Sequence, residues 1–277
     1  MKKRLYFIFA GENMFHPQYF SRVLQYLPQE EYEVAGVTIA NDRYRKGIFY
    51  FLRQQWELWG SIGFIFIAVG SIVRSCLDRV RRTSMHSIGG IAQRYHIPLR
   101  ESLNVNEEQH LNHLKTLDLD IIISSCGHIF KKELLALPRL ACINRHSSLL
   151  PKYGGVLPIF WAMYHGASSA GVSIHYMVEK IDEGDILAQI VLPLINGNSL
   201  FKNYILAFEK SVEATVEALE NIGKGVVLRH FDKSERTHFS FPALADIKRF
   251  KQHYSSFNWG DIFFYINSAR NNFSLRI

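Results

Sequence analysis

The sequence predicts an α/β fold: a mostly parallel twisted sheet with flanking helices, a helical insertion, and a small C-terminal appendage. Three features of the chain lead there. Residues 5–10 and 32–39 are extended apolar runs separated by a helical stretch at 18–26, which makes a βαβ opening. Residues 119–124 are rich in isoleucine and read as a central parallel strand buried on both faces. Helical and extended stretches then keep alternating as far as residue 222. The expected organisation is one domain over 1–225, with the insertion at about 44–84, and the appendage at 226–277.

In chain order, the first strand ends at Gly11-Glu12-Asn13, placed where parallel sheets carry their sites. This is not a GxGxxG, so no dinucleotide is inferred. Residues 88–95 are expected to form a short helix and 96–99 a short strand. An amphipathic helix follows at 107–115, with Leu111, Leu114 and Leu117 on one side. After the isoleucine strand comes a helix starting at 131–137, then a strand at 140–143. Residues 158–165 are helical, with Pro158 suited to the first turn. Residues 171–178 and 186–192 are extended, the latter stopped by Pro193. Residues 199–222 make one long helix ending at Gly223. In the appendage 242–253 looks helical, and the last twenty residues show no clear period.

The insertion alternates apolar blocks with arginines. Residues 59–73 are almost uninterruptedly apolar, between Arg53 on one side and Arg74, Arg79, Arg81 and Arg82 on the other. That is short of the about 20 apolar residues a spanning helix needs, and Gly60, Gly63 and Gly70 interrupt it. The expectation is a helical insertion packed on the domain or against a second subunit, with little affinity for lipid vesicles. The alternative is an amphipathic helix resting on a membrane face.

In a chain of 277 residues, 48% hydrophobic and 21% charged is a globular balance with material for a core. Cys76, Cys126 and Cys142 follow no disulfide or metal spacing, which points to a reducing cytoplasm. Lys2, Lys3 and Arg4 precede too short an apolar run for a signal peptide. The formal charge of +7 favours anionic partners without choosing among them.

The rest is organised around residues 144–187. Asn144 and His146 come at the end of a strand, before a loop broken by Pro151, Gly154 and Gly155. Asp182 lies in a turn after the next strand, which can bring it back against that loop. An amide donor, an imidazole and a carboxylate in one cleft can stabilise an oxyanion and relay a proton, as acyl transfer requires. No His, Cys or Asp cluster has metal spacing, so no metal is expected.

These residues also carry a resemblance. Asn144-x-His146-x-Ser148-Leu149-Leu150-Pro151-x-Tyr153-x-Gly155 and Gly171-x-Ser173-Ile174-His175-Tyr176-Met177-x-Glu179-x-Ile181-Asp182-x-Gly184-x-x-Leu187 resemble the two signatures of the formyltransferases that use 10-formyltetrahydrofolate. Cys126-Gly127-His128-Ile129-Phe130 lies where that family has a pterin-lining loop. The resemblance covers about residues 85–225 well and the first forty loosely. It implies a Rossmann-like formyltransferase fold, with Asn144, His146 and Asp182 catalytic. It sets Gly127, His128, Ile129, Phe130, His175, Ile181 and Glu183 around the folate, and Ser148, Tyr153, Gly154 and Gly155 toward the acceptor. Many relatives have Arg where Gly154 stands, so acceptor detail does not carry over.

The implied donor is 10-formyltetrahydrofolate and the implied acceptor an anionic primary amine. A nucleotide-linked amino sugar leads, because the chain lacks room for a tRNA-contacting C-terminal barrel. Methionyl-tRNA, hydroxyornithine and glycinamide ribonucleotide remain alternatives. A deformylase would need a regulatory domain that does not fit, and a folate- or nucleotide-binding module without catalysis is the rival from another class.

Overall fold

The computed structural model describes residues 1–12, 14–41, 47–80 and 86–271. Asn13, the stretches 42–46 and 81–85 that hold both ends of the insertion, and residues 272–277 lie outside them, as do the side chains of residues 75, 77–80, 270 and 271.

Strands β1 (Lys3–Ala10), β2 (Tyr32–Ala40), β3 (Leu99–Ser102), β4 (Ile121–Ser125), β5 (Ala141–His146), β7 (Ser169–Tyr176) and β8 (Ile186–Pro193) form one sheet in the order β3-β2-β1-β4-β5-β7-β8. The pairs up to β4–β5 are parallel, and β5–β7 and β7–β8 are antiparallel. Two short strands, β6 (Gly154–Gly155) and β9 (His238–Phe239), pair separately. The helices are α1 (His16–Tyr26), α2 (Ile48–Val80), α3 (Ile88–Arg94), α4 (Glu108–Lys115), α5 (Lys132–Leu135), α6 (Pro158–Tyr164), α7 (Leu200–Lys224), α8 (Leu244–His253) and α9 (Trp259–Asn271).

Alternation along β1 divides the core. Leu5, Phe7 and Phe9 join the layer beneath α1 and α7, while Tyr6 and Ile8 pack with Leu114, Ile122 and Leu134 on the other face. All five residues of β4 are buried, as its isoleucine run implied.

Four expectations shift. The strand placed at 96–99 runs from Leu99, because His96 adopts φ 56° and residues 96–98 form the turn that delivers Pro98 O to Val37 N–H. The helix at 131–137 is a single turn. The long helix ends at Gly225 (φ 67°), two residues beyond Gly223, closing as glycine caps do. The last twenty residues contain α9; its buried positions include Asp261 and Ser268, while Trp259 and Phe263 stay exposed, so no apolar period marks it.

The C-terminal segment packs into the same core, through Ile247, Phe250 and Tyr265. The insertion is helical and broken at Gly60 (φ 71°, ψ 177°). One side of it packs on the domain as expected: Leu58 and Trp59 are buried, and the Phe66 ring meets those of Phe201, Phe257 and Tyr265. The other side is apolar and exposed.

Candidate active site

The strand carrying Asn144 and His146 is longer than 140–143, so both side chains belong to its last turns of pleat rather than to the loop beyond. Antiparallel pairing sets Asn144 opposite His175 and His146 opposite Ser173. Alternation then points Asn144, His146 and His175 into one cleft, which Arg145, between them, faces away from.

Asp182 reaches the same cleft from the turn after β7, at φ 56°, a conformation Asp tolerates better than most residues. The turn closes because Gly184 has no Cβ; one built there would stand 1.8 Å from Tyr176 O. The carboxylate accepts the Gly155 N–H at Oδ2 (2.7 Å), while Oδ1 lies 3.9 Å from His146 Nδ1 and 3.8 Å from His175 Nε2. His146 Nε2 faces the Tyr153 carbonyl at 3.2 Å. His175 Nδ1 donates to Tyr176 O (2.8 Å), leaving Nε2 to accept from Asn144 Nδ2 (3.4 Å).

Burial pushes His175 down to about 4, with Asp182 opposing and His146 assisting, so this ring is neutral. Burial would raise the Asp182 carboxyl, but His146, His175, the Gly155 N–H and His238 outweigh it and hold it below the usual carboxylate range. The cleft therefore pairs a fixed anion with an amide donor. Asn144 Oδ1 is buried and, among the described residues, has no hydrogen-bond partner.

The cavity measures about 240 Å³ and is lined by Gly127, His128, Ile129, Phe130, Asn144, His146, Gly155, His175, Ile181 and Asp182, all singled out in the sequence. Cys126, Val156, Met177, Val178, Glu179, Lys180 and His238 complete it. Phe130, Met177, Val178 and Ile181 give it apolar walls ending on the open amide edge of Asn144. Such a slot suits a flat heteroaromatic ring with a polar rim.

Four expected residues do not line it. Glu183 is ion-paired with Arg236 (3.0 Å), away from the cavity. Ser148 is buried, its carbonyl accepting the Ser173 hydroxyl (2.7 Å). Tyr153 stacks between His165 and Phe239. Gly154 pairs with His238, and a Cβ there would stand close to Thr237 O at 3.3 Å and Asp182 Oδ2 at 3.4 Å. These residues shape the loop. Among the described residues no group of three or more His, Cys, Asp or Glu is placed to hold a metal.

Sequence reasoning missed the C-terminal strand. Thr237 accepts the Tyr153 and Gly154 N–H groups, Phe239 O accepts Val156 N–H, and His238 lies against Gly155 and lines the cleft. Nothing local in residues 236–240 signals this; only the β6–β9 pairing shows it. Also missed was the far face of β5. Arg145 is buried, donates to Ser211 (2.8 Å), Ser125 (3.4 Å) and Ser147, and lies 3.6 Å over the Phe208 ring. Burial lowers it to about 10. Nearby, Glu12 accepts the N–H groups of Met14, Phe15 and His16 at the start of α1. Burial would raise Glu12, but His16 and these N–H groups hold it at about 2.

Residues 73–219 match the family model described as formyl transferase. The chain is 33% identical over 181 residues to the methionyl-tRNA formyltransferase of Thermotoga maritima, covering 64% of this chain and 57% of that protein. It therefore spans little more than half the length of that relative. A solved phosphoribosylglycinamide formyltransferase from Anaplasma phagocytophilum superposes with a TM-score of 0.57 at 16% identity, covering 87% of this chain and 99% of that one. The N-formyltransferase of Helicobacter canadensis, solved in complex with folinic acid and dTDP-3-aminofucose, gives 0.55 at 16% identity over 93% and 85%. At such identities these two likenesses show the fold.

Proposed function

The chain belongs to the formyl transferase family, and from that premise we propose that it transfers a formyl group from 10-formyltetrahydrofolate to the primary amine of a nucleotide-linked amino sugar. The observation that carries the reading is the meeting of Asn144, His146 and Asp182 at the end of an apolar-walled slot. Residues 127–130 and 177–181 would hold the pterin of the donor in that slot, which opens beside Asn144.

The neutral amine attacks the formyl carbon, and the carbonyl oxygen becomes an oxyanion. Asn144 Nδ2, held by His175, has its second hydrogen to give to that oxygen. The ionised Asp182 takes the proton the amine releases. When the tetrahedral intermediate collapses, the bond from the formyl carbon to the folate nitrogen breaks and that nitrogen takes up one proton, so one proton passes from amine to folate. His146, beside Asp182, is the group through which it moves.

The amino-sugar acceptor is supported by the Helicobacter protein, which shares the fold and was solved with a dTDP-linked amino sugar. The Thermotoga relative favours methionyl-tRNA as the second reading. We place the reaction in the reducing cytoplasm, where Cys76, Cys126 and Cys142 stay as free thiols. The test is to mix purified protein with 10-formyltetrahydrofolate and nucleotide-linked amino sugars, methionyl-tRNA, hydroxyornithine and glycinamide ribonucleotide in turn, following tetrahydrofolate release. Release that needs an amino sugar supports the proposal. Release with methionyl-tRNA alone favours the second reading, release without any amine means a hydrolase, and none with any acceptor refutes formyl transfer.

A further inference from the structure

We propose that the outer edge of α2, with the neighbouring end of α9, rests flat on a bilayer surface that carries anionic headgroups. By length and composition the helix Ile48–Arg74 is apolar enough to cross a membrane, longer than the 59–73 run suggested, but its contacts with the domain argue against a crossing. Gly60 breaks it, and the residues on either side are committed to the protein. Phe66 packs among Phe201, Phe257 and Tyr265, Gly63 lies against Phe257, and Lys251 donates to Glu57 O (2.7 Å). A helix held along one side can only lie in the interface.

The opposite side has the chemistry of an interface. Between Ser61 and Val73 there is no charged residue. Ile62, Ile65, Val69 and Ile72 recur at helical spacing and are 44–64% exposed, on the side away from the core. Trp56, Trp259 and Phe263 add exposed aromatic rings, the indoles being of the kind that settles at headgroup depth. Soluble surfaces seldom leave so many large apolar side chains of one helix uncovered.

Charge selects the occupant. Between residues 42 and 83 the sequence carries eight Lys or Arg against three Asp or Glu, +5 of the chain's +7, and on the described helix Arg53 is exposed beside Glu57. A second copy docking through the same patch would set two such segments against each other. An anionic lipid surface is complementary to both the charge and the apolar edge.

The inference does not depend on formyl transfer, and its test reads neither donor nor acceptor. The full chain is sedimented with vesicles of phosphatidylglycerol and phosphatidylcholine, and with vesicles of phosphatidylcholine alone. We expect at least about tenfold stronger binding to the anionic vesicles, weakened by salt. Ile65→Asp with Ile72→Asp should reduce it about tenfold or more while circular dichroism stays unchanged, since both positions are exposed. Arg53→Glu, a separate exposed position, should weaken binding to anionic vesicles only. No binding to either vesicle overturns the proposal, as does equal binding to both. So does a dimer in light scattering that the Ile65→Asp, Ile72→Asp protein loses while vesicle binding is absent.

Discussion

Asn144 and His175 stand opposite one another on antiparallel β5 and β7, and their side chains meet at 3.4 Å. The Tyr176 carbonyl accepts the His175 Nδ1–H, so the amide is oriented by a ring that does not ionise near neutrality. The donor of the cleft is thus set by the register of two strands.

Stability should fall in mild acid because of this ring. His175 ionises at about 4 in the fold against 6.5 in an unfolded chain, so between those values the unfolded state binds a proton that the native state refuses. Stability is then lost as pH falls from about 6.5 to about 4, by about 3 kcal/mol. Asp182, depressed as well, adds a loss only below the ordinary carboxylate range. Urea unfolding at pH 7 and pH 4.5 measures the first effect. The His175→Asn protein should lose less over that interval, and equal losses in both proteins would contradict the assignment.

Asn144→Ala should lower kcat by about 10²–10³ through loss of the oxyanion donor. Asp182→Asn should do comparable damage by removing the proton acceptor, with near-normal circular dichroism. Full turnover by either folded protein rules out the mechanism.

Gly155→Ala should disable and destabilise together. Its φ is 89°, and a Cβ there would stand 2.2 Å from Phe239 O, so β6 and β9 must part and the N–H given to Asp182 must move. A loss of about 2 kcal/mol or more, read as a lower melting temperature, should accompany the fall in activity. A protein as stable and active as the wild type would show that this contact does not hold Asp182.

Arg145→Ala should cost about 3 kcal/mol, leaving the hydroxyls of Ser125, Ser147 and Ser211 without their donor and the Phe208 ring without its guanidinium. Chemical denaturation measures this; a change under about 0.5 kcal/mol would mean that the buried cation is energetically neutral.

A chain ending at Gly225 should fail to unfold cooperatively. It lacks Ile247, Phe250 and Tyr265 from the core and the strand that holds Gly154 and Gly155. A sharp thermal transition in that shortened protein would show that residues 1–225 fold alone.

The sequence by itself determined the α/β class, the central strand and ten of the cleft's lining residues. Buried parallel strands write themselves as apolar runs, and Asn144, His146 and Asp182 sit in two signatures long enough to be read without a structure. Only the tertiary structure decided that Glu183 turns to Arg236, that His238 enters the cleft, and that Arg145 anchors the far face of β5. Each depends on segments dozens of residues apart meeting in one register, which no local period encodes. It also decided which side of α2 is covered, because a helix apolar all round carries no mark of the side the core will take.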